Sequence, residues 1–195
     1  MNKKYTILVI IIVAAIGLWL WGSRRTSNTT SVNNATNQQP RGQEVHNMQI
    51  LSAAFGAGQA IPAKYTCDGD NTNPPLTFGE VPDQTQSLAL IVDDPDAPNG
   101  TWTHWTLWNI SASTTAIAEN LLPSGAVVGQ TSFGSQGYGG PCPPAGQQHR
   151  YFFKLYALDA KLTIPSYSDV KALTDAMDGH ILQEAELMGV YSRNK

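Results

Sequence analysis

From residue 48 onward, short apolar runs rich in β-branched residues alternate with segments rich in Gly, Pro, Asn and Asp. This alternation is typical of an all-β core with irregular connections. The run over residues 87–92 is nearly continuous in apolar character, which indicates a strand in the interior of a sheet. The segments that we predict to be strands are residues 48–53, 76–78, 87–93, 104–110 and 151–158.

The pattern becomes helical near the C-terminus. Val170, Leu173 and Met177 follow helical spacing, with Ser168 as the predicted N-cap. A second segment, residues 180–188, also places apolar residues on one helical face. We therefore predict helices at the C-terminus, packed against an antiparallel sheet assembly.

The N-terminal region has a different pattern, because residues 5–21 contain no charged side chain. At ~1.5 Å per residue this run approaches the ~30 Å thickness of the hydrocarbon core of a bilayer. We predict an N-terminal transmembrane helix, single-pass, with the domain outside the cytoplasm. The alternative is a signal peptide that is removed, which would make the protein secreted.

Residues 26–45 are mostly Ser, Thr, Asn and Gln, with little to bury. Such a composition is typical of a flexible polar tether. The predicted organisation is a membrane anchor or signal peptide over residues 1–25, the tether over 26–45, and one domain over 46–195.

The charge of the chain is unevenly distributed. The 195 residues have a formal net charge of −3, but residues 41–195 hold eight basic and fifteen acidic side chains, a balance of −7. An acidic domain argues against a broad surface for nucleic acid, so we expect no nucleic-acid partner.

A first group of candidate functional residues follows the strand that we predict to be buried. In the segment DDPDAP the prolines hold Asp94 and Asp96 on a stiff loop, and the alternative interpretation is an ordinary polar turn. His104 opens the next predicted strand, close enough in sequence to return to these aspartates.

A second group lies in the segment GYGGPCPPAGQQHRYFF, which starts at residue 137. Its glycines, Gly140 among them, permit close backbone approach, and Pro144 stiffens the loop. His149 and Tyr151 alternate on a strand and so face the same side. Together the two groups describe a small polar pocket suited to a phosphate-like anion, in which protonated imidazoles and backbone N–H groups would bind the anion.

These motifs resemble the phosphatidylethanolamine-binding protein (PEBP) family, in its bacterial and archaeal Raf kinase inhibitor-like branch. The resemblance covers residues 48–193 and rests on DDPDAP, THW, GYGGPCPP and HRYFF. It implies a mainly β fold, an antiparallel β-sandwich with C-terminal helices and a small anion-binding cavity at one end. By motif, the resemblance assigns the cavity to Asp94, Asp96, His104, Gly140, Pro144, His149 and Tyr151.

Cys67 and Cys142 are the two cysteines of the chain, and each lies in a long loop near the predicted pocket. Outside the cytoplasm they could form a disulfide. The alternative is two buried thiols that line the site. The sequence favours the disulfide only slightly, because it does not show how close the two residues come.

The predicted function is a non-catalytic binding protein for a phosphate-like or carboxylate anion, including a phospholipid head group. The alternative is a protease or kinase inhibitor that acts through the loops at the pocket rim, and a hydrolase is the least favoured hypothesis. The chain contains no G-x-S-x-G, H-E-x-x-H or Walker sequence. We therefore expect no enzyme activity, no catalytic residue, no cofactor and no metal. The expected partners are the small anion, the membrane through the anchor, and a protease or kinase in the alternative.

Overall fold

A computed structural model describes residues 47–193 of the chain. Within this range two antiparallel sheets, one 3₁₀ helix and one α-helix are formed. The elements in chain order are β1 Gln49–Leu51, the 3₁₀ helix Ala63–Tyr65, β2 Leu76–Gly79, β3 Ser87–Asp94, β4 Trp102–Ser111, β5 Ala116–Ile117, β6 Val127–Val128, β7 Gln148–Leu158, α1 Val170–Met177 and β8 Ile181–Ser192.

The two sheets enclose the main hydrophobic core. The smaller sheet has the strand order β1-β2-β5 and the larger one the order β6-β4-β3-β7-β8. Ile50, Leu76 and Phe78 of the smaller sheet belong to the same buried cluster as Leu90 and Phe153 of the larger one. Burial of these apolar faces drives the packing of one sheet on the other.

Strand β3 lies at the centre of the larger sheet, which confirms the interior position predicted from its apolar run. All eight of its residues are buried, because both of its faces are covered. Leu90 faces the core between the sheets, whereas Ala89 and Ile91 pack in a second cluster that includes Leu173 and Met177 of α1. The helix therefore covers the outer face of the larger sheet.

The predicted helix at Val170 is confirmed, but its N-cap is Asp169 and not Ser168. The Asp169 carboxylate accepts a hydrogen bond from the N–H of Ala172 at 2.9 Å, which satisfies one of the free donors in the first turn.

The prediction of a second C-terminal helix is wrong, because residues 180–188 fall largely within the strand Ile181–Ser192. This strand pairs with β7 along nearly its whole length, from Leu158 opposite Ile181 to Gln148 opposite Ser192. Leu, Glu, Ala and Met are good helix formers, but local propensity is overridden where a non-local partner strand is available.

The predicted fold class included a transmembrane helix, and this part of the prediction is also wrong. Across residues 47–193, no helix has the length and apolar character needed to cross a membrane. Residues 5–21, which carried that prediction, and the tether lie outside the described residues. The corrected fold class is a mainly β fold with one α-helix.

Candidate functional site

One cavity, of about 420 Å³, lies at the edge of the larger sheet where β3 ends and where β4 and β7 begin. Because neighbouring strands of this sheet are antiparallel, the C-terminal end of β3 lies beside the N-terminal ends of β4 and β7 and near the C-terminal end of β8. Within the described part of the chain, the residues that line the cavity are Asp94, Ala97, Pro98, Trp102, His104, Phe133, Cys142, Pro143, Pro144, His149 and Arg193.

Asp94 and His149 form a buried pair in the cavity wall. Nδ1 of His149 lies 2.8 Å from Oδ2 of Asp94, and neither side chain is more than 5% exposed. The other carboxylate oxygen of Asp94 accepts a hydrogen bond from the N–H of Asp96 at 2.8 Å. Nε2 of His149 is the ring nitrogen left for a ligand, and it has one distant neighbour, Oε1 of Gln147 at 3.5 Å.

His104 is held by the backbone of the loop that follows β6. Its Nδ1 donates to the carbonyl oxygen of Gly139 at 2.6 Å, because a carbonyl can only accept. Its ring packs edge-on against Phe133 and Tyr151. Burial lowers the pKa of His104 below its usual value of 6.5, so that the neutral ring is favoured.

Asp96 lies beside the cavity and not among the residues that line it. Its carboxylate accepts hydrogen bonds from the backbone N–H, Nε and Nη2 of Arg150, at 2.9, 2.9 and 2.7 Å. These bonds hold the pKa of Asp96 at about 2. Asp96 therefore ties the loop after β3 to the start of β7.

Tyr151 is fully buried and also lies behind the cavity lining. Its hydroxyl has no hydrogen-bond partner among residues 47–193. Burial raises the pKa of Tyr151, and the nearby charge of Asp94 adds to this effect. The ring supports His104 from behind, with 5.2 Å between the two ring centroids.

Gly140 contributes to the site through close backbone approach. A Cβ atom at this position would lie 2.4 Å from the carbonyl oxygen of Tyr65 and 2.6 Å from Oδ1 of Asn71. The N–H of Gly140 donates to Oδ1 of Asn71 at 2.7 Å. The residue itself is outside the lining, unlike Pro144 of the same loop.

The two cysteines join the two loops that frame this region. Cys67 and Cys142 form a disulfide, with their Cα atoms 5.4 Å apart. The N–H of Cys67 also donates to the carbonyl oxygen of Pro141 at 3.1 Å. Cys142 lines the cavity, so the disulfide supports the wall directly.

Arg193 is the functional candidate that sequence reasoning missed. It follows β8 directly and lines the cavity, and its Nε lies 3.0 and 3.3 Å from the two carboxylate oxygens of Asp68. The pairing of β8 with β7 brings Arg193 close to His149, so its position depends on the strand that was predicted to be a helix. The remaining unpredicted wall residues lie within the two motifs or up to four residues from them: Ala97, Pro98, Trp102, Phe133 and Pro143.

The described residues offer no evident metal centre. Between residues 47 and 193, no group of three or more His, Cys, Asp or Glu side chains is arranged to hold a metal ion. The polar side chains that line the cavity are the Asp94 carboxylate, two imidazoles and the Arg193 guanidinium, set among proline and aromatic side chains.

Comparison with known proteins decides the family. The family model for phosphatidylethanolamine-binding protein matches residues 51–192. The chain belongs to the PEBP family. A UPF0098 protein of Methanothermobacter thermautotrophicus is 48% identical over 151 residues, which are 75% of this chain and 99% of the relative. A UPF0098 protein of Chlamydia pneumoniae is 48% identical over 152 residues, which are 75% of this chain and the whole of the relative.

Solved structures of PEBP homologues share the fold. The homologue from Chlamydia trachomatis has a TM-score of 0.73 and 44% identity, with 76% of this chain and 99% of that chain covered. YbcL of E. coli, a member of the mammalian PEBP family, has a TM-score of 0.71 and 35% identity, with 75% and 98% covered. The PEBP match ends at residue 192, one position before Arg193, so it does not bear on the guanidinium in the cavity wall.

Proposed function

We propose that this PEBP-family chain is a non-catalytic binding protein whose cavity holds a small anion, phosphate-like or carboxylate. The position of the Arg193 guanidinium in the cavity wall carries this proposal. Arginine suits phosphate and carboxylate groups because its planar set of N–H donors can bind two oxygens at once.

Arg193 is the main anion ligand of this proposal: its Nε donates to the Asp68 carboxylate, and its remaining N–H donors are available for an anion. The carboxylate of Asp94 is hydrogen-bonded by His149, and that of Asp96 is paired with Arg150 outside the lining. His104 is favoured in its neutral form because burial lowers its pKa. His104 therefore contributes less positive charge to anion binding than the sequence analysis expected.

The apolar part of the wall supports a ligand with an organic portion. Trp102, Phe133 and the adjacent prolines line the cavity beside the polar groups. Apolar walls with a few convergent polar groups are typical of small-molecule sites. The name of the family refers to phosphatidylethanolamine, whose head group joins a phosphate to a short carbon chain, so we include such head groups among the ligands.

The test is isothermal titration calorimetry of the full-length chain with inorganic phosphate, phosphorylethanolamine and acetate. We expect Arg193→Gln to weaken binding about tenfold, the effect of losing about one charge-assisted hydrogen bond. Arg193→Lys, which keeps the charge, should lose less.

Arg150→Gln is the matched control. Arg150 also pairs with an aspartate near this edge of the sheet, but it lies outside the lining, so its removal should change the affinity less than about twofold. The proposal is overturned if none of the three ligands binds the wild type, or if Arg193→Gln binds as tightly as the wild type.

A further inference from the structure

The peptide unit between Gly139 and Gly140 is held at both of its polar ends. Its carbonyl oxygen accepts from Nδ1 of His104 at 2.6 Å, and its N–H donates to Oδ1 of Asn71 at 2.7 Å. Because a peptide unit is planar, the two bonds together select one orientation of the plane.

This peptide needs outside support because both of its residues are glycine. Glycine has a wide range of allowed backbone angles, so local steric clashes do little to prevent a rotation of the plane. A larger residue at position 140 would meet the carbonyl oxygen of Tyr65 at 2.4 Å, so the close approach of the two loops requires glycine. The hydrogen bond that the N–H of Gly140 donates to Oδ1 of Asn71 supplies the orientation that a side chain at position 140 cannot.

The carbonyl of Gly139 is the main acceptor that holds the proton of His104 on Nδ1, with a smaller contribution from the backbone of Gly140. With the carbonyl of Gly139 facing Nδ1, Nδ1 carries the hydrogen, and the neutral ring has its lone pair on Nε2. A rotated peptide would direct the N–H of Gly140 towards Nδ1 and move the ring proton to Nε2. The nitrogen left for a ligand would then change from a hydrogen-bond acceptor to a donor.

We propose that Asn71 is a positioning residue that makes His104 present a hydrogen-bond acceptor to the cavity, so that the preferred ligand is an anion that also carries an O–H or N–H donor. Monoprotonated phosphate and an ammonium-bearing phosphate ester belong to this class, whereas sulfate at neutral pH has no donor. The selectivity for such ligands rests on the proposed function. The role of Asn71 in setting the tautomer of His104 does not.

The backbone of Asn71 allows a clean substitution. Its φ angle of 55° lies in the left-handed region, which glycine adopts without strain and asparagine and aspartate tolerate. Asn71→Gly therefore removes the side-chain acceptor and keeps the turn. Asn71→Asp keeps an oxygen that can accept from Gly140.

The first measurement is NMR of the full-length chain, labelled with ¹⁵N-histidine and free of ligand, at a pH above the range in which histidine titrates. The His104 signals are assigned with His104→Gln. We expect a protonated Nδ1 and an unprotonated Nε2 in the wild type and in Asn71→Asp. In Asn71→Gly we expect a mixture of the two tautomers.

Asn120→Gly is the matched control, because Asn120 has the same φ angle of 55° and is not a partner of the Gly139–Gly140 peptide. It should leave the His104 signals unchanged. The positioning role is overturned if Asn71→Gly keeps the wild-type tautomer, if Asn71→Asp loses it, or if Asn120→Gly changes it equally. If circular dichroism shows that Asn71→Gly does not fold, Asn71→Asp decides alone: the wild-type tautomer supports the role of Asn71, and its loss overturns it.

The second measurement compares binding of inorganic phosphate and sulfate at neutral pH. We expect the wild type to bind phosphate about tenfold more tightly than sulfate, which corresponds to about one hydrogen bond from the ligand to His104. Asn71→Gly should lose most of this preference. Equal affinity of the wild type for both anions overturns the selectivity. If the wild type binds neither anion, the proposed function fails, while the NMR measurement still decides the role of Asn71.

Discussion

Nδ1 of His149 lies 2.8 Å from Oδ2 of Asp94, and this pair joins the end of β3 to the start of β7 inside the protein. Oδ1 of Asp94 accepts from the N–H of Asp96, so both carboxylate oxygens are hydrogen-bonded. These bonds offset part of the cost of burying a carboxylate. Replacement of Asp94 therefore affects the stability of the fold as well as the cavity.

We predict that Asp94→Asn lowers the free energy of unfolding by about 2 kcal/mol, because it weakens a buried charge-assisted hydrogen bond. Urea denaturation near neutral pH measures this difference. Asp175→Asn is the control, since Asp175 pairs with Lys171 on the exposed surface of α1, and its midpoint should stay at the wild-type value. Equal midpoints for Asp94→Asn and the wild type would contradict the prediction.

His104 should make the protein less stable as the solution becomes acidic. Its pKa is lowered in the folded state from the usual value of 6.5, so the unfolded chain binds a proton more readily. Stability is therefore fully retained above pH 6.5 and decreases as the pH falls below it. His104→Gln should show a weaker decrease between pH 6.5 and 5 in urea unfolding experiments, and parallel curves for the two proteins would show that burial of His104 does not contribute.

The ion pair between Asp96 and Arg150 should make the stability depend on pH in a more acidic range. Arg150 lowers the pKa of Asp96 from 3.8 to about 2, so the stabilisation is present above pH 3.8 and is lost as the pH falls through 2. Asp96→Asn should therefore be less stable than the wild type at pH 6, with a smaller difference at pH 2.5. Thermal unfolding at the two pH values measures this, and a difference that grows towards low pH would have the wrong sign.

The disulfide should contribute a large part of the stability of the domain. Cys67 and Cys142 are separated by 75 residues, and closing a loop of that length in the unfolded chain corresponds to about 4 kcal/mol. The double variant Cys67→Ser, Cys142→Ser should lose about this amount in urea unfolding. A reductant should lower the midpoint of the wild type and leave that of the variant unchanged, and a loss below about 1 kcal/mol would contradict the entropic argument.

Much of the fold was predictable because its signals are local. The run that became β3 is apolar at consecutive positions, and this is the property of a strand covered on both faces. The helix at Val170 was predictable for a similar reason, since its spacing repeats every turn. In β8 the local signal was misleading, because good helix formers there are held in a strand by pairing with β7.

In the candidate site, too, the local sequence predicted some features and the tertiary structure decided others. The motifs placed Asp94, His104, Pro144 and His149 in the cavity wall without knowledge of the pairing. Asp96, Gly140 and Tyr151 were found close by, but behind or beside the lining. A motif shows that residues are near a site, whereas the hydrogen-bond partner of each side chain decides whether that side chain faces the cavity.

Residue order and residue type determined the β-rich domain, its central strand and the two loops that carry the functional groups. The tertiary structure alone decided the strand character of β8, the presence of Arg193 in the cavity wall and the hydrogen bond from the N–H of Gly140 to Asn71. These features join residues that are far apart in sequence. Their physical origin is the pairing of strands and loops, and such pairing leaves no periodic pattern in either segment taken separately.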